Sequence, residues 1–163
     1  MNSIRLRDIV DECFQDYYKP AMLLATTTCN WKCLVEQGLS TSLCQNMPLC
    51  ENPIIEVSYE EIARRYLANP ITRALVIGGL EPILQQDEVL GLIQYLRSND
   101  IADDVVIYTG YYPDEIASAI DKLKKLSNII VKFGRYTPGH IPHFDATLGI
   151  KLISDNQYAI KIS

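Results

Sequence analysis

The sequence predicts an α/β domain built as an incomplete (β/α) barrel of about six mostly parallel strands. Three observations carry that expectation. Near-continuous apolar runs recur along the chain, as strands buried on both faces require. Amphipathic helical patterns separate them, the alternation that yields a parallel sheet covered by helices. The 163 residues suit a single domain, 1–163. They fall short of the ~200 residues below which a closed eight-fold barrel is implausible.

The elements follow in order. Met1 to Lys19 mixes Arg, Asp and Glu with apolar residues and lacks the apolar core of a signal peptide. Ala21 to Thr26 reads as the first buried strand. A polar segment, 27–53, follows and is long enough to mark a functional loop. Ile54 to Val57 is a short apolar run, either strand or lead-in. Ser58 then looks like an N-cap, with Glu61 completing a capping box. Tyr59, Ile62, Ala63 and Tyr66 share one face of the helix, which should stop near Asn69-Pro70. Arg73 to Ile77 is a strand running into Gly78-Gly79. Val89, Leu92, Ile93 and Leu96 mark the next helix, ending near Ser98-Asn99. Val105 to Tyr108 is a strand closed by Thr109-Gly110. Pro113 and Asp114 open a helix with Ile116, Ile120, Leu123 and Leu126 on its buried side. Ile129 to Phe133 is a further strand. A loop rich in Pro, Gly and His (136–142) and two weaker apolar segments, near 149–153 and 158–162, finish the chain.

Charge and hydropathy exclude several functions. Lys plus Arg number 15 and Asp plus Glu 20, a net charge of −5 with no basic run. Nucleic-acid binding needs clustered cations, so none is expected. No apolar stretch approaches the ~20 residues of a membrane span, so no membrane partner is expected and the chain reads as cytoplasmic.

In folds of this kind the site lies at the carboxyl ends of the strands. That brings three segments to one edge: the 27–53 loop, Gly78 to Pro82, and Thr109 to Tyr111. The loop holds four of the five cysteines, Cys29, Cys33, Cys44 and Cys50, with Cys13 apart. Clustered thiols in a cytoplasmic chain hold a metal or perform redox chemistry more often than they pair. The first pair is Cys-x3-Cys, and Cys44 to Cys50 is Cys-x5-Cys, a poor match to zinc knuckles. From spacing alone, an iron–sulfur cluster, zinc and unliganded buried thiols all stay open. Gly78-Gly79 allows close approach of a ligand to the backbone, and Glu81 offers a carboxylate to an ammonium group. Trp31 could shield a metal group, stack on a base or simply pack. His140 and His143 with Asp145 read as a polar loop rather than a metal site. Nothing resembling a catalytic triad is evident.

With that order of motifs, the chain resembles a small member of the radical S-adenosylmethionine superfamily, close to the anaerobic ribonucleotide-reductase-activating proteins. The resemblance spans roughly residues 20 to 163. It is carried by Cys29-x3-Cys33 after the first predicted strand and by Gly78-Gly79-Leu80-Glu81-Pro82 after a later one. Tyr108-Thr109-Gly110-Tyr111 with Asp114-Glu115-Ile116, and Ser154-Asp155-Asn156-Gln157, complete it. It implies a 4Fe-4S cluster on three thiolates, leaving one iron open to chelate S-adenosylmethionine. It also implies reductive cleavage to a 5′-deoxyadenosyl radical, with no protein acid, base or nucleophile required. Gly78, Gly79 and Glu81 would hold the methionine end, and Tyr108 and Thr109 would lie by the ribose. The implied partner is a glycyl-radical enzyme such as an anaerobic ribonucleotide reductase, with reduced flavodoxin or ferredoxin as electron donor. One departure stands out. The superfamily signature is Cys-x3-Cys-x2-Cys, and its third position here is Glu36. Either Cys44 supplies the third thiolate, with Cys50 in reserve, or the site is degenerate. The alternatives are the same cluster acting on a small molecule or peptide, and a non-catalytic iron–sulfur or zinc-binding module on the same fold.

Overall fold

The computed structural model describes residues 2–163. Its centre is a six-stranded sheet. Four parallel strands form the middle, β3 (Ala21–Ala25), β5 (Ala74–Gly78), β6 (Asp104–Tyr108) and β7 (Ile129–Phe133), lying side by side in that order. Antiparallel strands close both edges, β2 (Asp8–Cys13) against β3 and β10 (Tyr158–Lys161) against β7. The sheet is thus largely parallel and is not closed into a barrel. Two further pairs stand outside it: β1 (Ser3–Leu6) with β4 (Ile55–Ser58), and β8 (His143–Asp145) with β9 (Ile150–Leu152).

Ala21 to Ala25 is therefore the third strand rather than the first. β1, β2 and β8 lie in stretches where the sequence pattern assigned no element. The run at 54–57 is a strand, but it pairs with β1 instead of joining the main sheet.

β5 and β7 are buried at all five positions, which is why their sequences are apolar apart from Lys132 in β7. One face of the sheet presents Met22, Leu24, Leu75, Ile77, Ile107 and Val131 to the helices α2 (Tyr59–Ala68), α3 (Gln86–Ser98) and α4 (Ala117–Leu123). α3 contributes Val89, Leu92, Ile93 and Leu96, each worth roughly 1.5–3 kcal/mol when fully buried. The other face carries smaller side chains, Ala21, Ala74, Val76 and Val106, covered by Tyr17, Leu148 and Leu152.

Helix ends follow local chemistry. Ser58 Oγ accepts from Glu61 N at 3.1 Å, but the Glu61 carboxylate turns to Arg64 at 2.7 and 2.6 Å, so only half of the capping box forms. The helix expected from Pro113 is split. A 3-10 turn at Pro113–Glu115 precedes α4, with Ile116 off helical geometry at φ −132°. Among the described residues no helix is long and apolar enough to cross a membrane.

Candidate functional site

The cysteine loop leaves the carboxyl end of β3 and is fastened as it leaves. Thr26 N and Oγ1 both donate to Gly78 O, at 2.9 and 3.1 Å. Thr27 N and Oγ1 both donate to Gln85 Oε1 at 2.9 Å. Arg7, between β1 and β2, reaches both ends of the excursion. Its Nε donates to Thr27 O at 3.0 Å, and its Nη1 to Asn52 O at 2.7 Å and Cys50 O at 3.3 Å. Such charge-assisted bonds are worth about 1.5–3 kcal/mol each. Neither Arg7 nor Gln85 belongs to a motif, and the sequence pattern carries no signal for either.

Within the loop, Trp31 adopts a left-handed backbone, φ 50° and ψ 34°, a strained state for a bulky residue that costs on the order of 1–3 kcal/mol. That geometry puts its backbone N–H on Cys29 Sγ at 3.2 Å. A single helical turn, α1 (Lys32–Val35), then carries Cys33. All five cysteines are free and half-buried. The Cys29 thiol is pushed up to about 11, first by burial and then by its neighbours Glu81, Cys33 and Cys44. Burial also raises Cys33, with Cys44 again among the charges acting on it. Cys29, Cys33 and Cys44 therefore form one electrostatic group. Arg7 holds the Cys50 carbonyl at the loop's far end. Cys13 sits on edge strand β2, where its thiol donates to Asp16 Oδ2 at 3.1 Å.

The donor set discriminates between metals. Among the described residues, no three Cys, His, Asp or Glu side chains converge as ligands of one ion. A structural zinc site needs four ligands within about 2.0–2.3 Å of one point. A 4Fe-4S cluster takes its thiolates on separate irons, so they need only surround it. An N–H on one sulfur and a buried indole nitrogen without an acceptor, Trp31 Nε1, add donors suited to a sulfur-rich group. Cys29, Cys33 and Cys44 are the thiols that could hold such a cluster.

The opposite wall comes from the strand ends, and the three segments expected there do meet. Gly79 has φ +77°, and a Cβ on it would lie 2.9 Å from Ala25 Cβ and 3.0 Å from Leu49 Cδ1 of the loop. A Cβ built on Gly78 lies 3.1 Å from Tyr108 Cβ. Glu81 is buried. Its carboxylate accepts from Thr109 Oγ1 at 2.8 Å, Gly110 N at 2.9 Å and Ile83 N at 3.0 Å, while its own N–H donates to Thr28 O at 2.9 Å. Burial raises the Glu81 carboxyl, and these donors together with Lys132 oppose the rise. A carboxylate has about four acceptor positions, so one stays open. The Tyr108 hydroxyl donates to Asp16 O, and Tyr108 packs against the cluster of Tyr17, Val76 and Val106 on the sheet's second face.

Lys132 completes this wall. It lies on β7 and is buried, its ammonium 5.7 Å from the Tyr108 ring centroid and donating to Gly134 O at 3.1 Å. Burial pushes it down to about 8, against the pull of Glu81 and Cys33. Lys132 belongs to no motif, although a lysine inside an apolar strand is itself an available signal.

Glu36 is exposed and bound into an ion network. It pairs with Arg135 at 2.8 Å and Lys32 at 3.5 Å, and both cations reach Glu115, at 2.5 and 2.9 Å. Arg135 holds the Glu115 carboxyl down to about 2. Asn30 Nδ2 donates to the Tyr111 hydroxyl at 2.7 Å. These contacts strap the first turn of the loop across the segments that follow β6 and β7. Ser154 to Gln157 brace the same segments, Asn156 Nδ2 donating to the Tyr112 hydroxyl at 2.8 Å and to Arg135 O at 2.7 Å. The histidines are occupied separately. His140 contacts Asp155, His143 contacts Gln157 O, and Asp145 accepts from Leu148 N and Ala159 N, so they form no common site.

No curated protein matches the chain. A family model described as a 4Fe-4S single cluster domain matches residues 20–140, about three quarters of the sequence. That span encloses the cysteine loop, Gly78 to Glu81, Thr109 and Lys132, the residues assembled above from geometry. The chain belongs to the 4Fe-4S single cluster domain family.

Proposed function

We propose that this protein is a radical S-adenosylmethionine enzyme, with a 4Fe-4S cluster on Cys29, Cys33 and Cys44 and one iron left open. The observation that carries the reading is the pairing of those thiols with two buried, oppositely charged groups, Glu81 and Lys132, beside them. An amino-acid head group carries an ammonium and a carboxylate, and this wall offers one partner to each. Glu81 keeps an acceptor position for the ammonium, and Lys132 brings donors to the carboxylate. Gly79, with no room for a side chain, presents bare backbone. Thr109 acts by orienting Glu81, and Tyr108 contributes its ring at the ribose end. Bound there, the cluster would supply the electron that cleaves S-adenosylmethionine to a 5′-deoxyadenosyl radical. No side chain need act as acid or base, because the protein's task is to orient the ligand and exclude water. The hydrogen donor we assign is a glycyl-radical enzyme such as an anaerobic ribonucleotide reductase. Reduced flavodoxin or ferredoxin is the assigned electron source.

The test is an electron paramagnetic resonance spectrum of anaerobically reconstituted, dithionite-reduced protein with and without S-adenosylmethionine. A reduced 4Fe-4S signal that changes on addition supports the open iron. An unchanged signal leaves a non-catalytic iron–sulfur module, the second reading, which Glu36 at the usual third-thiolate position favours. Cys44→Ala should abolish the cluster and Cys50→Ala should spare it; the reverse would reassign the third ligand.

A further inference from the structure

We propose that the indole N–H of Trp31 donates a hydrogen bond to a sulfur of the bound cluster or its thiolates, and so raises the cluster's reduction potential. This rests on the assignment of the cluster to Cys29, Cys33 and Cys44. Three features of one residue point the same way. Trp31 stands between two ligand cysteines in a left-handed backbone that a bulky side chain rarely adopts. Strain of this kind persists where the surroundings impose it, and it clusters at ligand clamps. The strained geometry serves sulfur chemistry directly, since the Trp31 backbone N–H meets Cys29 Sγ at 3.2 Å. The third feature is the indole nitrogen, which is buried with no acceptor among the described residues. Buried tryptophans ordinarily give that N–H a partner. A residue serving only to pack would leave it on a carbonyl or in water. The group this loop exists to bind is rich in acceptor sulfur and would satisfy it.

The consequence for potential follows from charge. One-electron reduction makes the cluster more negative. Each N–H directed at its sulfurs stabilises the reduced form more than the oxidised one. Trp31 would supply two such donors, one from the backbone and one from the side chain. It is a positioning and tuning residue, and the chemistry of cleavage stays with the cofactor.

Trp31 is the only tryptophan in the chain, so isotopic labelling of tryptophan reports this position alone. The experiment uses the anaerobically reconstituted, dithionite-reduced full chain carrying 15N-indole tryptophan. Electron–nuclear double resonance should detect a 15N coupling to the cluster spin. A redox titration should then place Trp31→Phe at a more negative midpoint potential than wild type, at equal iron and sulfide content. A loaded wild-type protein without 15N coupling, or equal potentials in the two proteins, overturns the proposal alone. Wild-type protein that takes up no iron overturns the cluster assignment and the proposal with it. Should Trp31→Phe fail to load, the wild-type coupling decides by itself.

Discussion

Lys132 lets the energetics of the site be tested apart from its chemistry. A lysine moved from 10.5 to about 8 carries a penalty of about 3 kcal/mol in the folded protein at neutral pH. That figure is already net of the attraction to Glu81 and Cys33, which works in the opposite direction. Lys132→Met removes the charge while keeping an unbranched side chain of similar volume. Glu81 keeps its donors from Thr109, Gly110 and Ile83, so the loss of a neighbouring cation does not orphan it. The iron-free variant should therefore gain about 2–3 kcal/mol. That is roughly 5–10 °C in thermal midpoint for a chain of this length. The pH dependence has a definite sign. Between about 8 and 10.5 the unfolded chain holds the proton and the folded chain does not, so wild-type stability rises with pH across that window. The variant should lack the rise, and its advantage should vanish at the top of the window. Urea denaturation of both iron-free proteins at pH 7 and pH 10 measures this. A variant equal to or less stable than wild type at pH 7 would refute the picture of a destabilising buried ammonium. Under the proposed function the same change should weaken S-adenosylmethionine binding, a trade of stability for function.

Arg7→Ala should lose three hydrogen bonds at the two ends of the loop and destabilise by about 3 kcal/mol or more. Its reconstituted form should release iron to a chelator faster than wild type, read by loss of visible absorbance. Gly79→Ala meets both a positive φ and a 2.9 Å contact with Ala25 Cβ, so it should cost more than about 1 kcal/mol by thermal melting. In the exposed Glu36–Arg135–Glu115 strap, each pair is worth about 1 kcal/mol or less. Because Glu115 is depressed to about 2, its share is present above the ordinary carboxylate range and is lost as pH falls through about 2. Glu115→Gln should flatten that part of the acid-denaturation curve.

What could be read in advance divides along physical lines. Leu75 to Ile77, Val105 to Ile107 and Ile129 to Val131 announce themselves because strands buried on both faces must be apolar throughout. β1 and β2 do not. Arg5, Asp8, Asp11 and Glu12 interleave charge into short strands that lie outside the main sheet or at its edge, and the result looks like solvated chain. Glu61 matched a capping pattern, yet Arg64 competed for its carboxylate and won. At the site, groups carried by motifs were legible: the thiols, the paired glycines and Glu81. The solitary polar residues that hold them in place, Arg7, Gln85 and Arg135, were not. Each acts through a partner 20 to 99 positions away, and a separation of that kind leaves no local pattern.

The reach of Arg7 also says where the working unit begins. The family segment starts at residue 20, so the buckle that closes the cysteine loop lies upstream of it, on the link between two strands the segment omits. A cassette cut at the ends of the matched span and moved to another scaffold would carry the four thiols of the loop but not the residue that ties its ends. The matched span and the fastening of the loop do not coincide, and anyone transplanting the loop should keep Arg7 with it.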